Sequence, residues 1–433
     1  MAGSRTGRVL LATAAFGVAG AAVEAQAGGF AIREQSAYGQ GWSFAGAAAG
    51  GPGVSGMFWN PALATNVEGL AVIDNSYSLI IPKADVRGVN DAPFPLPDTV
   101  LDDDNIAQAA FAPASSAALR VTDDLFLGIT IGAPFGLVTK AGAASGPGEA
   151  FSSRLFSINA TPTLAYRVND WLSVGAGVQV QYFKAKLKVN IPPSLEVPFA
   201  SISGIDAEDY GFGFTLGAQF RPWAGTEIGV GFRSSIAHNF DGDAFNSLAP
   251  DELDIGTRFR SPEMVSVGIR QRVTDSFTLA GTVEWTNWSR LDELVVNGPG
   301  NAYLVPTGTV LPFDWQDGWF FSLGGEYQWS PELSLRAGVA YEISPVTDDN
   351  RTTRLPDDDR VWLSAGLTWD VTRALAFDAG YSFIFSPGES SIDEVNLVGG
   401  SFTGDSRGHS HVVSLGLRYK FGLGAAEPVV AKY

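Results

Sequence analysis

Few residues of this chain have the side chains needed for catalysis or for binding a transition metal. The sequence contains three histidines and no cysteine. His409 and His411 flank Ser410, which could place an imidazole beside a hydroxyl nucleophile, and the third histidine is His238. No Gly-x-Ser-x-Gly elbow supports a hydrolytic site, and the His-x-His pair has no obvious third metal ligand. We therefore expect no enzyme, no metal centre and no cofactor.

The acidic residues occur in short runs whose neighbours favour turns. The formal net charge is −18, which argues against nucleic acid as a partner. The runs are Asp102–Asp104, Asp348–Asp349, Asp357–Asp359 and Asp393–Glu394. None has the spacing of an EF-hand, so we interpret them as solvated loops.

Basic residues are the remaining candidates for ligand contacts. Arg336, Arg418 and Lys420 fall on the polar side of segments that alternate between apolar and polar residues. A second group, Lys184, Lys186 and Lys188, lies where another such segment approaches its loop. An alternative is that these are ordinary lumen or rim charges, balanced by Glu284, Glu326 and Glu342.

The elements that carry these residues are predicted to be strands of a membrane-spanning barrel. In Trp171–Phe183 the apolar and polar residues alternate, and His409–Phe421 repeats the pattern. Aromatic residues at the ends of the apolar faces and glycine on the polar faces favour a transmembrane barrel over a soluble sandwich. We predict an all-β fold, an antiparallel barrel of about fourteen strands. They are expected near 70–82, 113–121, 125–137, 151–168, 171–190, 209–221, 224–240, 255–273, 276–289, 316–329, 332–346, 358–371, 374–387 and 409–421.

The beginning of the chain indicates export. Arg5 and Arg8 precede the apolar run Val9–Val23, and Ala25–Ala27 is a small-x-small cleavage site. We expect a signal peptide over 1–27, a plug over 28–68, the barrel over 69–421 and a tail over 422–433. Fourteen strands enclose a lumen that wall side chains alone cannot fill. The glycine-rich N-terminal segment, which has no charged residue from Gln35 to Val67, is the predicted plug.

Several motifs resemble those of one transporter family. Gly28-Gly29-Phe30 leads through small residues to Asn60-Pro61-Ala62, and Gly132-Ala133-Pro134-Phe135-Gly136 follows in the third predicted strand. Trp285-Thr286-Asn287-Trp288-Ser289 and Leu355-Pro356-Asp357 to Trp362 come later in the same order. Together they resemble the FadL/TodX family of outer-membrane transporters of fatty acids and hydrocarbons, over nearly all of the chain after the signal peptide.

The resemblance implies a route and a set of site residues. Substrate would be captured by extracellular loops, bind inside the barrel beside Phe30, and leave sideways through the wall into the membrane. In the family, basic residues near the fifth strand meet a head group, which makes Lys184, Lys186 and Lys188 candidates beside Phe30. Strand alternation adds Arg336 and Arg418 as lumen-facing candidates for binding substrate. The candidate gating residues are Asn60, Pro61, Ala62, Gly132, Pro134 and Gly136. Pro134 cannot donate to a strand ladder, which independently supports a break there.

The sequence therefore predicts uptake of a hydrophobic small molecule across a bacterial outer membrane. A long-chain fatty acid is the expected substrate, with aromatic or alkane hydrocarbons of the TodX type as the alternative. A general diffusion porin, an outer-membrane lipase and an adhesin are the rival functions. The expected partners are a hydrophobic ligand and the lipid and lipopolysaccharide of the membrane, with the barrel acting as a monomer.

Overall fold

The fold is a single closed antiparallel β-sheet that surrounds the N-terminal segment. The computed structural model describes residues 28–91, 97–141, 150–191, 201–248, 252–298, 309–395 and 400–423. Its strands are β1 (Ala71–Asp91), β2 (Thr99–Asp103), β3 (Ala110–Arg120), β4 (Leu125–Gly132), β5 (Gly136–Lys140), β6 (Ala150–Arg167), β7 (Leu172–Ile191), β8 (Ser201–Phe220), β9 (Thr226–Arg233), β10 (Ala237–Asn246), β11 (Leu253–Arg260), β12 (Met264–Arg272), β13 (Phe277–Thr286), β14 (Glu293–Asn297), β15 (Thr309–Pro312), β16 (Gly318–Ser330), β17 (Leu333–Ile343), β18 (Arg360–Asp370), β19 (Leu375–Phe385), β20 (Ser390–Val395) and β21 (Ser401–Phe421).

These 21 segments of the described chain make up fourteen spans around the barrel, which confirms the predicted number. Seven spans are interrupted and so contribute two segments each, for example β4 with β5 and β13 with β14. The sheet closes between the first and last strands, which pair from Ala71↔Phe421 to Asp91↔Ser401. Closure pairs the first strand with the last, so the sheet has no open end between them, as a structure that crosses lipid requires.

Alternating residues of each strand face lipid and lumen. In β21 the outward Val413, Leu415 and Tyr419 are exposed, whereas the inward Ser414 and Arg418 are buried. Exposed aromatic side chains form a belt near the end with the short turns, as expected at a membrane interface. They include Tyr166, Trp171, Trp223, Trp329, Trp369 and Phe421.

Several strands extend further than the sequence predicts. β1 continues to Asp91 instead of ending near 82, β8 begins at Ser201 instead of near 209, and β21 begins at Ser401 instead of near 409. About ten residues suffice for a tilted strand to cross a bilayer. The extra residues lie at the end opposite the short turns, where outward positions are no longer apolar and the alternating pattern is lost.

Residues 28–68, which we call the hatch, occupy the lumen. The helix α1 (Ala37–Gln40) is capped by Ser36, whose hydroxyl accepts a hydrogen bond from Gly39 N at 3.0 Å. Two 3₁₀ helices follow, Ser55–Phe58 and Pro61–Asn66, and a third, Trp288–Arg290, belongs to the barrel wall.

The hatch backbone packs directly against glycines of the wall. A Cβ atom built on Gly229 would lie 1.7 Å from Ala48 O, and one on Gly231 would lie 1.7 Å from Trp59 O. Any larger residue at these positions would displace the hatch. The abundance of glycine in the inward-facing positions therefore reflects contact with the plug as well as strand geometry.

Candidate functional site

A cavity of about 370 Å³ lies inside the barrel on the side away from the short turns. Most of the side chains that line it are aliphatic or aromatic, and they come from six or more spans and from the hatch. They include Phe30, Leu137, Leu155, Phe183, Leu187, Ile205, Phe240, Phe259, Leu291, Leu294, Trp315 and Val346. Such a chamber is suited to an apolar ligand, because burying each CH₂ group gains about 0.8 kcal/mol.

Phe30 of the hatch is the central aromatic side chain of this cavity. Its ring centroid lies 4.8 Å from that of Trp288, 5.6 Å from Trp315, 5.9 Å from Phe135 and 6.0 Å from Phe259. The ring is 4% exposed. The structure thus places Phe30 where the sequence reasoning expected an internal binding residue.

Two interruptions of the wall supply the tryptophans around Phe30. Trp288 lies in the 3₁₀ helix between β13 and β14, and Trp315 lies in the break between β15 and β16. Both side chains point inward and are buried, and their ring centroids are 5.2 Å apart. The predicted strand near 276–289 therefore ends earlier, at Thr286, because the chain turns into the lumen.

The third span is interrupted where the sequence predicted it. β4 ends at Gly132 and β5 begins at Gly136, and the hatch fills the break. Ile32 N donates to Pro134 O at 2.8 Å, and Gly136 N donates to Phe30 O at 2.9 Å. The amide of Gln35 donates to Ala133 O at 2.9 Å.

The wall lacks a continuous hydrogen-bond ladder at this break. β3 pairs with β4 only from Ser115↔Ile131 to Arg120↔Phe126. β5 pairs along its length with β6. The segment Ala110–Ala114 of β3 pairs with β1 but has no partner strand on the side facing the break. A small cavity at this place is lined by Gln35, Phe58, Ala114 and Gly132.

Asn60-Pro61-Ala62 holds the middle of the hatch in place. The Asn60 carboxamide accepts from Ala62 N at 3.0 Å and donates to Ala48 O at 2.8 Å and to Ala218 O of β8 at 2.9 Å. Pro61 occupies the first turn of the 3₁₀ helix, where its missing N–H costs nothing. The triplet links one hatch segment to another and to the wall, and it does not line the large cavity.

The three lysines predicted to bind substrate are not in the cavity. In β7 the odd-numbered Phe183, Leu187 and Val189 line the lumen, so Lys184, Lys186 and Lys188 lie on the outer face. There Lys184 binds Asp206 at 3.1 Å and Glu208 at 3.0 Å, and Lys186 binds Asp206 at 2.7 Å. Strand alternation places them on the same face as Val174 and Val178.

Arg336 and Arg418 face the lumen as predicted, but they lie against the hatch outside the large cavity. Arg336 contacts Glu326 at 3.3 Å and the face of Tyr38, with its guanidinium carbon 4.1 Å from the ring centroid. Arg418 contacts Asp378 at 3.4 Å. Their charges are balanced by lumen carboxylates, which is the alternative reading that the sequence left open.

Two arginines at the cavity rim were not anticipated from the sequence. Arg351 is engaged by Asp348 at 2.6 Å, Asp358 at 3.5 Å and the carbonyl groups of Asp357 and Ser391. Arg354 donates to Ser153 Oγ at 2.7 Å, and no carboxylate of the described residues is within 4.0 Å of its guanidinium. Burial lowers the pKa of Arg354. Both arginines lie in the loop after β17, where no periodic pattern shows which way a side chain points.

The structure separates the serine and histidine side chains that the sequence placed side by side. Ser410 is buried and faces the lumen, whereas the neighbouring His409 and His411 point to the outer face of β21. His238 is buried behind Phe183, with Nδ1 3.2 Å from Asp209 and Nε2 3.0 Å from the Gln181 side-chain oxygen. Over the described residues, no three His, Cys, Asp or Glu side chains converge to hold a metal ion.

These features define a class of protein. It is a membrane-spanning β-barrel whose own N-terminal segment closes the lumen, with an apolar cavity on the side away from the short turns. The chain matches the family described as outer membrane protein transport protein (OMPP1/FadL/TodX) over residues 18–421. It therefore belongs to this family and is a protein of the bacterial outer membrane.

Named relatives and solved structures agree with this assignment. The long-chain fatty acid transport protein of Escherichia coli O6:H1 is 27% identical over 422 residues, covering 87% of this chain and 92% of that protein. The structure of a FadL homologue of Pseudomonas aeruginosa is similar with a TM-score of 0.81 at 22% identity, covering 91% of this chain and 100% of that one. The toluene transporter TodX of Pseudomonas putida has a TM-score of 0.65 at 15% identity, with 89% and 98% covered.

Proposed function

We propose that this barrel takes up long-chain fatty acids by binding them in the cavity around Phe30 and releasing them sideways into the membrane. The observation that carries the proposal is a largely apolar cavity of about 370 Å³ inside the barrel, with the guanidinium of Arg354, which donates to Ser153 Oγ, at its rim. An acyl chain gains from burial among the aromatic side chains, while a carboxylate is the group that an arginine binds best.

The route out of the cavity passes the break in the third span. A water-filled path would expose the acyl chain at about 0.8 kcal/mol for each CH₂ group. The edge of Ala110–Ala114 that faces the break has no partner strand, so it offers a lateral route that avoids this cost without breaking a strand ladder on that side. The hatch residues Phe30, Ile32 and Gln35 close the break, so their movement would couple ligand binding to opening.

Hydrocarbon uptake is the second candidate, and the charges at the rim favour it. Alongside Arg351 and Arg354, the cavity is lined by Asp314, Asp349, Asp393 and Glu394. These acids would repel a carboxylate unless Arg354 compensates. Glu394 accepts hydrogen bonds from the Thr353 hydroxyl at 2.9 Å and from the Thr353 amide at 2.8 Å, and its negative charge also acts on Arg354.

The experiment that separates the candidates is a titration of the purified barrel with oleate, with toluene and with a linear alkane. We expect saturable oleate binding that Arg354→Gln weakens by about tenfold, consistent with one charge-assisted hydrogen bond. Alkane binding should be unchanged in this variant. Arg87→Gln is the matched control, because Arg87 is an exposed rim arginine paired with Asp102 at 2.9 Å.

Hydrocarbon binding without oleate binding would assign the barrel to hydrocarbon uptake. Failure of all three ligands to bind, together with steady ion conductance in a planar bilayer, would replace the proposal with a porin. The hatch argues against a porin, because its backbone is in contact with wall glycines around the lumen.

We further infer that transport here involves no catalysis and that the barrel acts as a monomer in contact with outer-leaflet lipid. The placement of Ser410 and His411 on opposite faces of β21 removes the serine–histidine pair that the sequence suggested. The basic side chains of Arg154, Lys184, Lys186 and Lys188 share one outer face, where the phosphates of lipopolysaccharide are the expected partners.

A further inference from the structure

The start of the hatch is held by two carboxylates inside the barrel. Gly28 is buried, and its nitrogen lies 2.9 Å from Glu342 Oε1. The nitrogen of Gly29 lies 2.7 Å from Asp357 Oδ2. Glu342 is near the end of β17, and Asp357 is in the loop that follows, so two neighbouring parts of the wall bind the first two residues of the hatch.

Carboxyl groups outnumber guanidinium groups in the buried surroundings of Gly28. Among the described residues, four carboxylates lie here, from Glu34, Glu284, Glu342 and Asp357, and all are at most 4% exposed. Three guanidinium groups oppose them, from Arg33, Arg233 and Arg360. One carboxylate oxygen each of Glu34, Glu284 and Asp357 has no hydrogen-bond partner, and neither have Arg33 Nε and Arg360 Nη1. Burial raises the pKa of Glu34 to about 7, so the charge of this carboxylate is the least compensated of the four. A further cation beside these carboxylates would lower the cost of burying them.

We propose that the processed amino terminus is this further cation: cleavage after Ala27 makes Gly28 an ammonium group that pairs with Glu342 and fixes Phe30 in the ligand cavity. Hydrolysis by signal peptidase breaks the Ala27–Gly28 peptide bond. Water supplies hydroxyl to the Ala27 carbonyl carbon and a proton to the Gly28 nitrogen. The amine takes up one further proton near neutral pH, since α-amino groups have a pKa of about 7.7–8.0.

The two glycines fit this role because of their size. A Cβ on Gly28 would lie 3.3 Å from Glu342 Oε1 and 3.3 Å from Pro345 Cδ. Gly29 has a φ of +67°, and a Cβ there would lie 2.8 Å from the Trp315 ring. The backbone of Gly29 approaches the tryptophan more closely than a residue with a side chain could, Gly28 fits beside Glu342 with little room to spare, and Phe30 enters the cavity one residue later.

Maturation and ligand binding are therefore linked. Before cleavage, the Gly28 nitrogen is a neutral amide that can donate one hydrogen bond and leaves the carboxylate excess in place. After cleavage, the ammonium group has three donors and the charge that balances the site. This inference rests on the proposed role of the cavity as the ligand site, and it adds the processed terminus as a positioning group for Phe30.

The first test needs no ligand. The full chain is expressed with its leader and purified from the outer membrane, and the intact mass should correspond to a start at Gly28. Reductive methylation at pH 7 should then label the α-amine at least tenfold more slowly in the folded barrel than after heating in SDS. A different starting residue, or equal labelling rates in the two states, would overturn the inference.

The second test replaces Glu342 by glutamine, which keeps an oxygen acceptor and removes the charge. We expect faster α-amine labelling by at least fivefold and about tenfold weaker oleate or alkane binding. Glu326→Gln is the control, because Glu326 accepts from the Tyr38 hydroxyl elsewhere on the hatch at 2.8 Å. Heat-modifiable migration in SDS gels verifies that each barrel has folded, and Glu342→Asp replaces the variant if Glu342→Gln does not fold.

Unchanged labelling in a folded Glu342 variant would overturn the ion pair. If the α-amine is protected in the parent protein and becomes exposed in Glu342→Gln, the inference is supported, whether or not the barrel binds a ligand. If the barrel binds neither oleate nor alkane, only the proposed function is rejected. The two ideas can therefore fail separately.

Discussion

Phe30 contributes the only ring that the hatch places in the ligand cavity, as far as the described lining residues extend. It contacts Trp288, Trp315, Phe135 and Phe259 at once. Phe30 O also accepts a hydrogen bond from Gly136 N at the break in the wall. A ligand that moves the Phe30 ring can therefore also change the contacts of the hatch at this break.

Truncation of this ring should weaken binding without unfolding the barrel. We expect Phe30→Ala to reduce oleate or alkane affinity by tenfold or more, since burial of a phenylalanine side chain contributes roughly 1.5–3 kcal/mol. Isothermal titration of the detergent-solubilised barrel measures this change. Phe212→Ala is the control, because Phe212 of β8 faces the membrane away from the break. Equal affinity of Phe30→Ala and the parent protein would remove Phe30 from the site.

Single residues also show where sequence reasoning reached its limit. The positions of Phe30 and Pro134 followed from family motifs and from proline chemistry. Arg354 was missed, because nothing in a loop sequence defines side-chain direction. Lys184, Lys186 and Lys188 were assigned to the ligand although alternation from Val174 and Val178 already places even-numbered residues of this strand outside. In that case the local periodicity was more informative than the expected chemistry.

At the scale of elements, the residues proposed for ligand binding and release lie at interruptions of the spans. Alternation and turn residues predicted fourteen strands, but of the breaks only the one at Pro134 was foreseen. The inward turns that present Trp288 and Trp315 have no proline within them and are stabilised by contacts far away in sequence, such as the hydrogen bond of 2.9 Å from Trp285 Nε1 to Asp317. Such tertiary contacts leave no periodic signal.

The break in the third span gives a prediction about transport. Pro134→Ala supplies an N–H group that can extend the ladder toward β3, so we expect oleate uptake by whole cells to fall severalfold while binding to the purified barrel stays within twofold. Pro162→Ala is the matched control, because Pro162 lies in β6 opposite Ile129, in a laddered part of the wall.

Uptake unchanged by Pro134→Ala would exclude this break as the exit. A parallel loss of binding and uptake would instead show that Pro134 shapes the cavity. The distinction matters because Pro134 O accepts from Ile32 N, so the residue contacts both the hatch and the exit.

At the scale of the whole molecule, the basic outer face formed by Arg154, Lys184, Lys186 and Lys188 is the surface that we expect to contact membrane lipid. Lys188 and Arg154 have no ion pair among the described residues, whereas Lys184 and Lys186 are paired with acids. The cation–π contacts of Lys186 and Lys188 with Phe245, at 5.4 and 5.8 Å, hold these side chains along the barrel surface.

Replacement of Lys184, Lys186 and Lys188 by glutamine should therefore reduce the lipopolysaccharide that purifies with the barrel by at least half. Mass spectrometry of lipid A in the purified sample measures this ratio. The oleate affinity should stay the same, because these side chains are outside the cavity. Retention of the full amount of lipid A would show that this face is not a lipid contact, and a loss of oleate affinity would contradict the outward placement.

The closure of the sheet between β1 and β21 also constrains the order of assembly. The two strands that meet at this seam lie at opposite ends of the barrel sequence, so their pairing closes a loop of more than three hundred residues. The hatch immediately precedes β1, and its backbone lies against wall glycines with no room for a side chain between them. We therefore expect the plug to be enclosed while the seam is still open. The last strand to be synthesised then seals the first segment inside, and a chain stalled before β21 would retain an unsealed plug.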